Sequence, residues 1–216
     1  MNTKFPIQNL SIVFTVDKGK LKVLLLKRKE DPYKGYWVMP TKFLEKEETF
    51  FENTQKIIFD FFKIEHIFME SWKAFSFPME QQRYLQTTVI CYMDEATREY
   101  MTKETENYEL EWFDVQSLPK MAFNHEEILL DALSYVRIEL NHISVLKVLY
   151  PSDFTIPELQ TLYEQMNETT MDRRNFRKKM LSLDILEDTL ETTMVSTGRP
   201  AKLYKFKEEI SIDKIF

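Results

Sequence analysis

The sequence predicts an α+β protein with two domains, residues 1–150 and 151–216, and three observations lead to this prediction. Residues 1–150 mix strand-like runs with helical periodicity, residues 151–216 follow the order helix, helix, hairpin, and Pro151 stands where the pattern changes. Proline and its predecessor both disfavour continued helix, so we place the boundary near residue 150. The length of 216 residues allows one large domain or two modest ones.

The strands of the first domain are expected to begin with a hairpin. Residues 10–16 and 21–27 are β-rich runs, and the sequence Asp-Lys-Gly-Lys at 17–20 is a turn signal between them. Further strands are expected at 85–93, which is rich in Thr, Val and Ile, and at 110–115.

Two helices are expected in the same domain, at about 49–62 and 125–140. The apolar stripe of the second comprises Ile128, Leu129, Ala132, Leu133, Val136 and Leu140. This spacing is typical of a helix that buries one face.

The second domain begins with a capping box. Thr155 can cap a helix start, Glu158 stands three residues later, and Pro157 falls in the first turn, where its missing N–H costs nothing. Asp172 can cap a second helix, and residues 195–206 predict a hairpin tip with its return strand. The second helix places Phe176, Met180 and Leu183 inward and its basic residues outward. This order resembles a winged helix.

Residues 42–64 resemble the Nudix box, G-x5-E-x7-R-E-U-x-E-E-x-G-U, in which U is a bulky apolar residue. The motif glycine, first glutamate and arginine fall on Lys42, Glu48 and Lys56, and the three glutamates that hold magnesium in active members fall on Ile57, Asp60 and Phe61. Hard divalent cations need several converging oxygen ligands. Because Ile57 and Phe61 have none, we predict a chain without a catalytic metal, without a cofactor and without hydrolase activity.

Residual metal binding by the remaining acids is left open. Glu48 and Asp60 are candidate weak ligands, but Glu52, Lys56 and Asp60 lie four residues apart, which also suits a solvent-exposed salt ladder. The lysine in that row repels a divalent cation.

Six residues are predicted to bind a small ligand: Arg28, Trp37, Lys42, Ile57, Phe61 and Arg83. Ile57 and Phe61 either form the apolar floor of a ligand pocket or fill the cleft that holds the metal in active members. Arg28 and Arg83 suit anionic or hydroxyl-rich ligands, with surface charge as the alternative. Trp37 suits stacking, with a core position as the alternative.

Seven residues are predicted to contact DNA: Arg173, Arg174, Asn175, Arg177, Lys178, Arg199 and Lys202. The first five crowd one short helix in an otherwise acidic chain, which is typical of a recognition helix in the major groove. Arginine pairs with guanine and asparagine with adenine, whereas lysine more often holds phosphate. Arg199 and Lys202 would contact DNA from the wing. An ordinary basic surface is the alternative.

Both resemblances point to one family, the NrtR-type Nudix-related transcriptional regulators. Similarity continues outside the box at 24–28, 35–40 and 123–129, and it is closest at 154–155, 159–164, 172–178 and 198–204. The resemblance implies a Nudix-like α/β/α sandwich that senses a metabolite such as ADP-ribose or a sugar, a C-terminal winged helix that binds operator DNA, and a bacterial origin. The usual Gly-Gly before the box helix is replaced by Thr41 and Lys42. We expect a ligand-responsive regulator that acts as a homodimer.

Two other functions stay open at this point. One is a divergent Nudix hydrolase acting on a nucleoside diphosphate derivative, and the other is a protein-binding module that uses the cleft as a dock. The effector, the operator and the direction of regulation do not follow from the sequence.

The composition limits the partners and the cellular compartment that can be expected for this chain. The net charge of −6 argues against uniform attraction to nucleic acid but leaves room for a local basic patch. A single cysteine, Cys91, excludes an internal disulfide and favours a reducing cytoplasm. Neither a membrane span nor a signal peptide is expected.

Overall fold

The computed structural model describes residues 5–79, 82–101, 106–194 and 200–216, and it confirms the α+β class. In chain order the elements are β1 (Ile7–Asp17), β2 (Lys20–Arg28), β3 (Trp37–Val38), β4 (Thr41–Phe43), α1 (Phe50–Phe62), β5 (Phe68–Met79), β6 (Gln82–Met93), α2 (Glu95–Arg98), β7 (Tyr108–Asp114), α3 (His125–Glu139), α4 (Ile143–Leu149), β8 (Phe154–Thr155), α5 (Ile156–Asn167), α6 (Arg173–Ser182), β9 (Leu186–Met194) and β10 (Pro200–Phe206). None of the described helices is long and apolar enough to cross a membrane.

The chain forms two compact units. The first comprises Met1–Thr15 and Lys22–Asp131, and the second comprises Val16–Leu21 and Ala132–Phe216. The turn between β1 and β2 therefore belongs with the later part of the chain. Our boundary near residue 150 divides the chain by expected role, and it stays a prediction.

A seven-stranded mixed sheet forms the centre of the first unit. Its main path is β3-β2-β1-β6-β5, with β4 also paired to β1 and β7 to β2. Strands β1 and β6 run parallel, and β5 and β6 form a long antiparallel pair. The central strands are buried on both faces, as expected for a sheet covered on both sides. The predicted sandwich is confirmed.

Helix α1 supplies the cover for one face. Ile58 and Phe62 belong to the same core cluster as Val13, Leu24 and Val89 from the strands. The helix begins with a complete capping box between Thr49 and Glu52, which explains why a start near Thr49 was predictable. It ends at Lys63 in a left-handed conformation, φ 59°, at the position of the second motif glycine.

The second unit contains the predicted winged-helix order. Thr155 and Glu158 form the expected capping box of α5, and the Asp172 carboxylate accepts from Asn175 N at 2.8 Å to cap α6. Phe176 and Met180 are buried, as predicted. A small sheet in the order β8-β10-β9 follows.

Several strands were not predicted from the sequence. Strand β5 carries Pro78 and a register shift between Ser71 and Ala74, so its side chains do not alternate regularly between apolar and polar. Strands β3, β4 and β8 are only two or three residues long. Such short segments form because neighbouring strands pair with them, which is a tertiary effect.

Candidate functional site

The first candidate site is a cleft beside α1. Its cavity has a volume of about 420 Å³ and is lined by Leu26, Thr41, Lys42, Ile57, Asp60, Phe61, Glu106, Asn107 and Tyr108. Three of the six predicted ligand residues, Lys42, Ile57 and Phe61, therefore lie together. They come together because β4 and α1 both border the cleft.

The acids of the degenerate motif are already paired with other groups. Asp60 Oδ2 lies 3.0 Å from Lys42 Nζ. Glu48 Oε1 lies 2.5 Å from Lys56 Nζ, and its Oε2 accepts from Asn53 Nδ2 at 2.7 Å. These bonds, with that from Lys56 the strongest, lower the Glu48 pKa to about 2. Glu52 accepts from Thr49 N in the capping box, and this bond lowers its pKa.

This arrangement does not fit a divalent cation. Two of the three motif positions supply no oxygen, and the third, Asp60, faces an ammonium group. Across the residues that the structure describes, no group of three His, Cys, Asp or Glu side chains is arranged to hold a metal ion. Ammonium groups from Lys42 and Lys56 instead neutralise the acids that the motif retains.

An aromatic slot is the second feature of this unit. Its lining residues are Gln8, Phe43, Phe77, Tyr84, Gln86 and Phe123. The Phe43 and Tyr84 rings are 6.0 Å apart, and the Phe77 and Phe123 rings meet edge-on at 6.2 Å. The open volume is only about 50 Å³, so the slot suits the edge of a flat group rather than a whole metabolite.

A row of amides forms the polar side of this slot. Asn124 Nδ2 donates to Gln86 Oε1 at 2.8 Å, and Gln86 Nε2 donates to Gln8 Oε1 at 3.0 Å. Asn124 Oδ1 is buried and accepts no hydrogen bond from any described residue. Buried polar atoms without a partner are unusual, which makes this oxygen an unexplained feature of the amide row. Our sequence reasoning missed this group, although a glutamine inside the β-rich run 85–93 was a usable signal.

His125 directly follows Asn124 in the chain and belongs to the same unit. Its side chain is buried, and Nδ1 accepts from Met39 N at 3.1 Å. Burial, and secondarily the charge of Arg28, lowers the His125 pKa to about 3. The imidazole is therefore neutral at physiological pH.

The other three predicted ligand residues occupy different places. Arg28 Nε donates to Pro32 O at 2.8 Å, and its guanidinium lies 5.5 Å from the ring centre of Phe123, a slot residue. Arg83 is exposed on the β5–β6 hairpin and donates to Ser76 Oγ at 2.9 Å. Trp37 is 8 % exposed and packs edge-on against Phe113, so the structure gives it a core position. A ligand contact by any of them stays a prediction.

Helix α6 carries the candidate nucleic-acid surface. Arg173, Arg174, Asn175 and Lys178 are all exposed, while Phe176 on the same helix is buried. With Arg177, which is also exposed, the helix presents four cations and one amide to solvent, and its first turn contains no acid.

The remaining predicted DNA contacts are more constrained. Arg177 Nη2 donates to Tyr204 Oη at 2.8 Å, which ties α6 to β10. Lys202 Nζ lies 2.6 Å from Asp188 Oδ2 on β9. Arg199 lies outside the described residues.

Comparison with known proteins gives one matching family model and two similar proteins. The model of the NrtR DNA-binding winged helix domain matches residues 147–206. The ADPR responsive transcriptional repressor NtrR of Acinetobacter baylyi is 25 % identical over 198 residues, which span 90 % of this chain and 79 % of that protein. An ADP-ribose pyrophosphatase of Methanocaldococcus jannaschii is 30 % identical over 53 % of this chain and 67 % of its own length.

A solved structure of NrtR from Shewanella oneidensis, complexed with a 27mer DNA, has the same fold. It superposes with a TM-score of 0.75 at 20 % identity and covers 93 % of each chain. The fold, the matched winged helix and the worn Nudix box agree with one another. The matched winged-helix domain, the repressor relative and the shared fold together support an NrtR-type, Nudix-related regulator.

Proposed function

We propose that this chain is a transcriptional regulator that binds operator DNA through residues 151–216 and senses a small metabolite through residues 1–150. The observation that carries the proposal is the exposed basic surface of α6, set in a winged helix of the matched type. Arg173, Arg174 and Asn175 stand in the first turn of α6, the part of a recognition helix that reads base edges. Lys178 holds phosphate.

The effector is a nucleotide sugar of the ADP-ribose class. The names of both relatives refer to this compound: one is an ADPR responsive repressor and the other is an ADP-ribose pyrophosphatase. The aromatic slot with its amide row suits a flat base with hydrogen-bonding edges. The larger cleft offers Phe61 and Ile57 as an apolar floor and Lys42 as a cation.

The Nudix-like unit binds its effector without hydrolysing it. Hydrolysis in this fold depends on magnesium held by helix glutamates, and Ile57 and Phe61 replace two of them. The pairing of Asp60 with Lys42 further supports an inactive cleft. The rival function, a divergent hydrolase, is favoured only by the similarity to the archaeal pyrophosphatase.

Regulation proceeds by a population shift in a cytoplasmic, bacterial homodimer. Two recognition helices read paired half-sites about one DNA turn apart, and the effector favours a dimer in which their spacing no longer suits DNA. The effector can act this way only through its different affinities for the two states.

Selection of genomic DNA fragments by the full chain tests the DNA-binding function. Native protein is expected to enrich a palindromic site. Arg174→Ala should weaken binding to that site by about 1–3 kcal/mol, the usual cost of losing a base-contacting arginine. Arg137→Ala is the matched control, because it removes an exposed arginine of α3 that pairs with Glu168.

The outcomes separate the two functions. Enrichment that is lost with Arg174→Ala and kept with Arg137→Ala supports the regulator. Equal binding by all three proteins would contradict a recognition role for α6. Absence of enrichment, together with magnesium-dependent turnover of ADP-ribose, would favour the hydrolase.

A further inference from the structure

One acidic side chain lies within the proposed basic DNA-binding surface. We propose that Asp188 restrains the DNA affinity of the winged helix by holding Lys202, and by standing near Arg177, in the place that a DNA phosphate would take. This inference rests on the proposed function. Asp188 would lower the DNA affinity of a surface on which the predicted DNA contacts raise it.

The geometry around Asp188 supports this role. Its Oδ2 is 2.6 Å from Lys202 Nζ, while its Oδ1 accepts from Leu190 N at 3.0 Å. Asp188 stands opposite Tyr204 in the β9–β10 ladder, and the Tyr204 hydroxyl accepts from Arg177 Nη2. The carboxylate therefore lies beside two of the cations that were predicted to meet DNA.

An irregularity in the ladder brings these groups together. Lys202 pairs with Thr192 and Tyr204 with Asp188, so two steps along β10 correspond to four along β9. The extra residues of β9 turn at Leu190, whose φ is 65°. The bond from Leu190 N to Asp188 Oδ1 closes this turn, so the backbone helps to fix the carboxylate beside Lys202.

The expected effect follows from how proteins bind DNA. Each lysine that meets a phosphate releases condensed counterions and makes the salt dependence of log K steeper by about 0.9. A lysine that is bound to an aspartate must leave it to make that contact, and the aspartate then faces the DNA as a like charge. Both effects act on any DNA sequence, because phosphates carry no sequence information.

Asp188→Asn is the direct test because asparagine keeps an oxygen for Leu190 N and loses only the charge. Binding of the full chain is measured by fluorescence anisotropy to the selected operator and to an unrelated duplex of equal length, over a range of salt. Asp188→Asn should bind both duplexes roughly two- to fivefold more tightly, the range for one exposed charge pair. Its salt dependence should be steeper by about 0.9.

Three further variants exclude a merely structural effect. Asp188→Glu should return affinity toward the native value. In a chain that already carries Lys202→Gln, adding Asp188→Asn should produce little of the gain in DNA affinity, because the lysine that it would release is absent. Asp184→Asn is the matched control: Asp184 pairs with Lys207 at 2.6 Å, and neither residue is among the predicted DNA contacts.

The inference is overturned if Asp188→Asn, with a native circular dichroism spectrum, binds no more tightly than the native chain or shows the same salt slope. It is also overturned if Asp184→Asn produces an equal gain. Both outcomes leave the proposed function intact as long as the native chain binds its operator. A native chain that binds no DNA would overturn the function and the inference together.

Discussion

The buried His125 should make the stability of the first unit depend on pH. The imidazole is 1 % exposed, and its Nδ1 needs to be unprotonated to accept from Met39 N. Burial is the main cause that lowers its pKa from 6.5 to about 3, with the Arg28 charge second. The folded chain therefore resists a proton that the unfolded chain accepts readily.

This difference in pKa sets the direction and the size of the change in the free energy of unfolding with pH. Below pH 6.5 the unfolded state binds more protons at this site than the folded state, so the free energy of unfolding falls as the pH falls from 6.5 toward 3. Each pH unit in that window changes it by about 1.4 kcal/mol. Between about pH 7.5 and about pH 5 the loss is therefore about 2 kcal/mol, and above about pH 7.5 this site adds almost no pH dependence.

Urea unfolding followed by tryptophan fluorescence measures this effect. Trp37, Trp72 and Trp112 all belong to the first unit, so the signal reports that unit. His125→Asn keeps an acceptor oxygen for Met39 N but does not titrate, so it should lose about 2 kcal/mol less than the native chain over the same pH step.

Carboxylates that titrate in this range act in both proteins, and the difference between the two isolates His125. His66→Asn, which changes an exposed histidine, should keep the native pH dependence. Parallel stability curves for the native and His125→Asn proteins would refute this reasoning.

Two further outcomes are expected. Gly19→Ala should destabilise the chain more than Gly35→Ala. Both glycines have positive φ, 78° and 85°, a conformation that costs alanine about 1–2 kcal/mol. An added Cβ at Gly19 would also lie 2.4 Å from Glu158 O, whereas one at Gly35 meets nothing within 4 Å. Thermal unfolding compares the two variants, and equal losses would mean that the close approach to α5 is unimportant. Magnesium should change neither the unfolding temperature nor the amount of ADP-ribose recovered intact, in the native chain and in Asp60→Ala alike. Turnover that needs magnesium and disappears in Asp60→Ala would contradict the inactive cleft.

Local features of this fold were predictable from the sequence. The capping box of α5, the first hairpin and the cap of α6 depend on residues within a few positions of one another. Such short-range hydrogen bonds act much the same in any chain, so the positions of Thr155 and Asp172 were enough to predict two helix starts.

The candidate site was only partly predictable because its partners are distant in sequence. Gln8 and Gln86 meet across 78 positions, and Asn124 joins them from a third element. The pairing of β1 with β6 brings them together, and that pairing is not visible in the residue pattern. Likewise, the basic helix was evident, but the carboxylate beside Lys202 required the register of β9 and β10.

The pairing of Lys42 with Asp60 also has an evolutionary consequence. Recovery of hydrolysis would require carboxylates at both Ile57 and Phe61 and loss of the lysine that competes with metal for Asp60. A carboxylate at position 57 alone would stand where the present side chain is 2 % exposed, and it would destabilise the fold unless Lys42, which lines the same cleft, left Asp60 to pair with it. No single reversion restores a set of metal ligands, so recovery of hydrolysis would need several substitutions together.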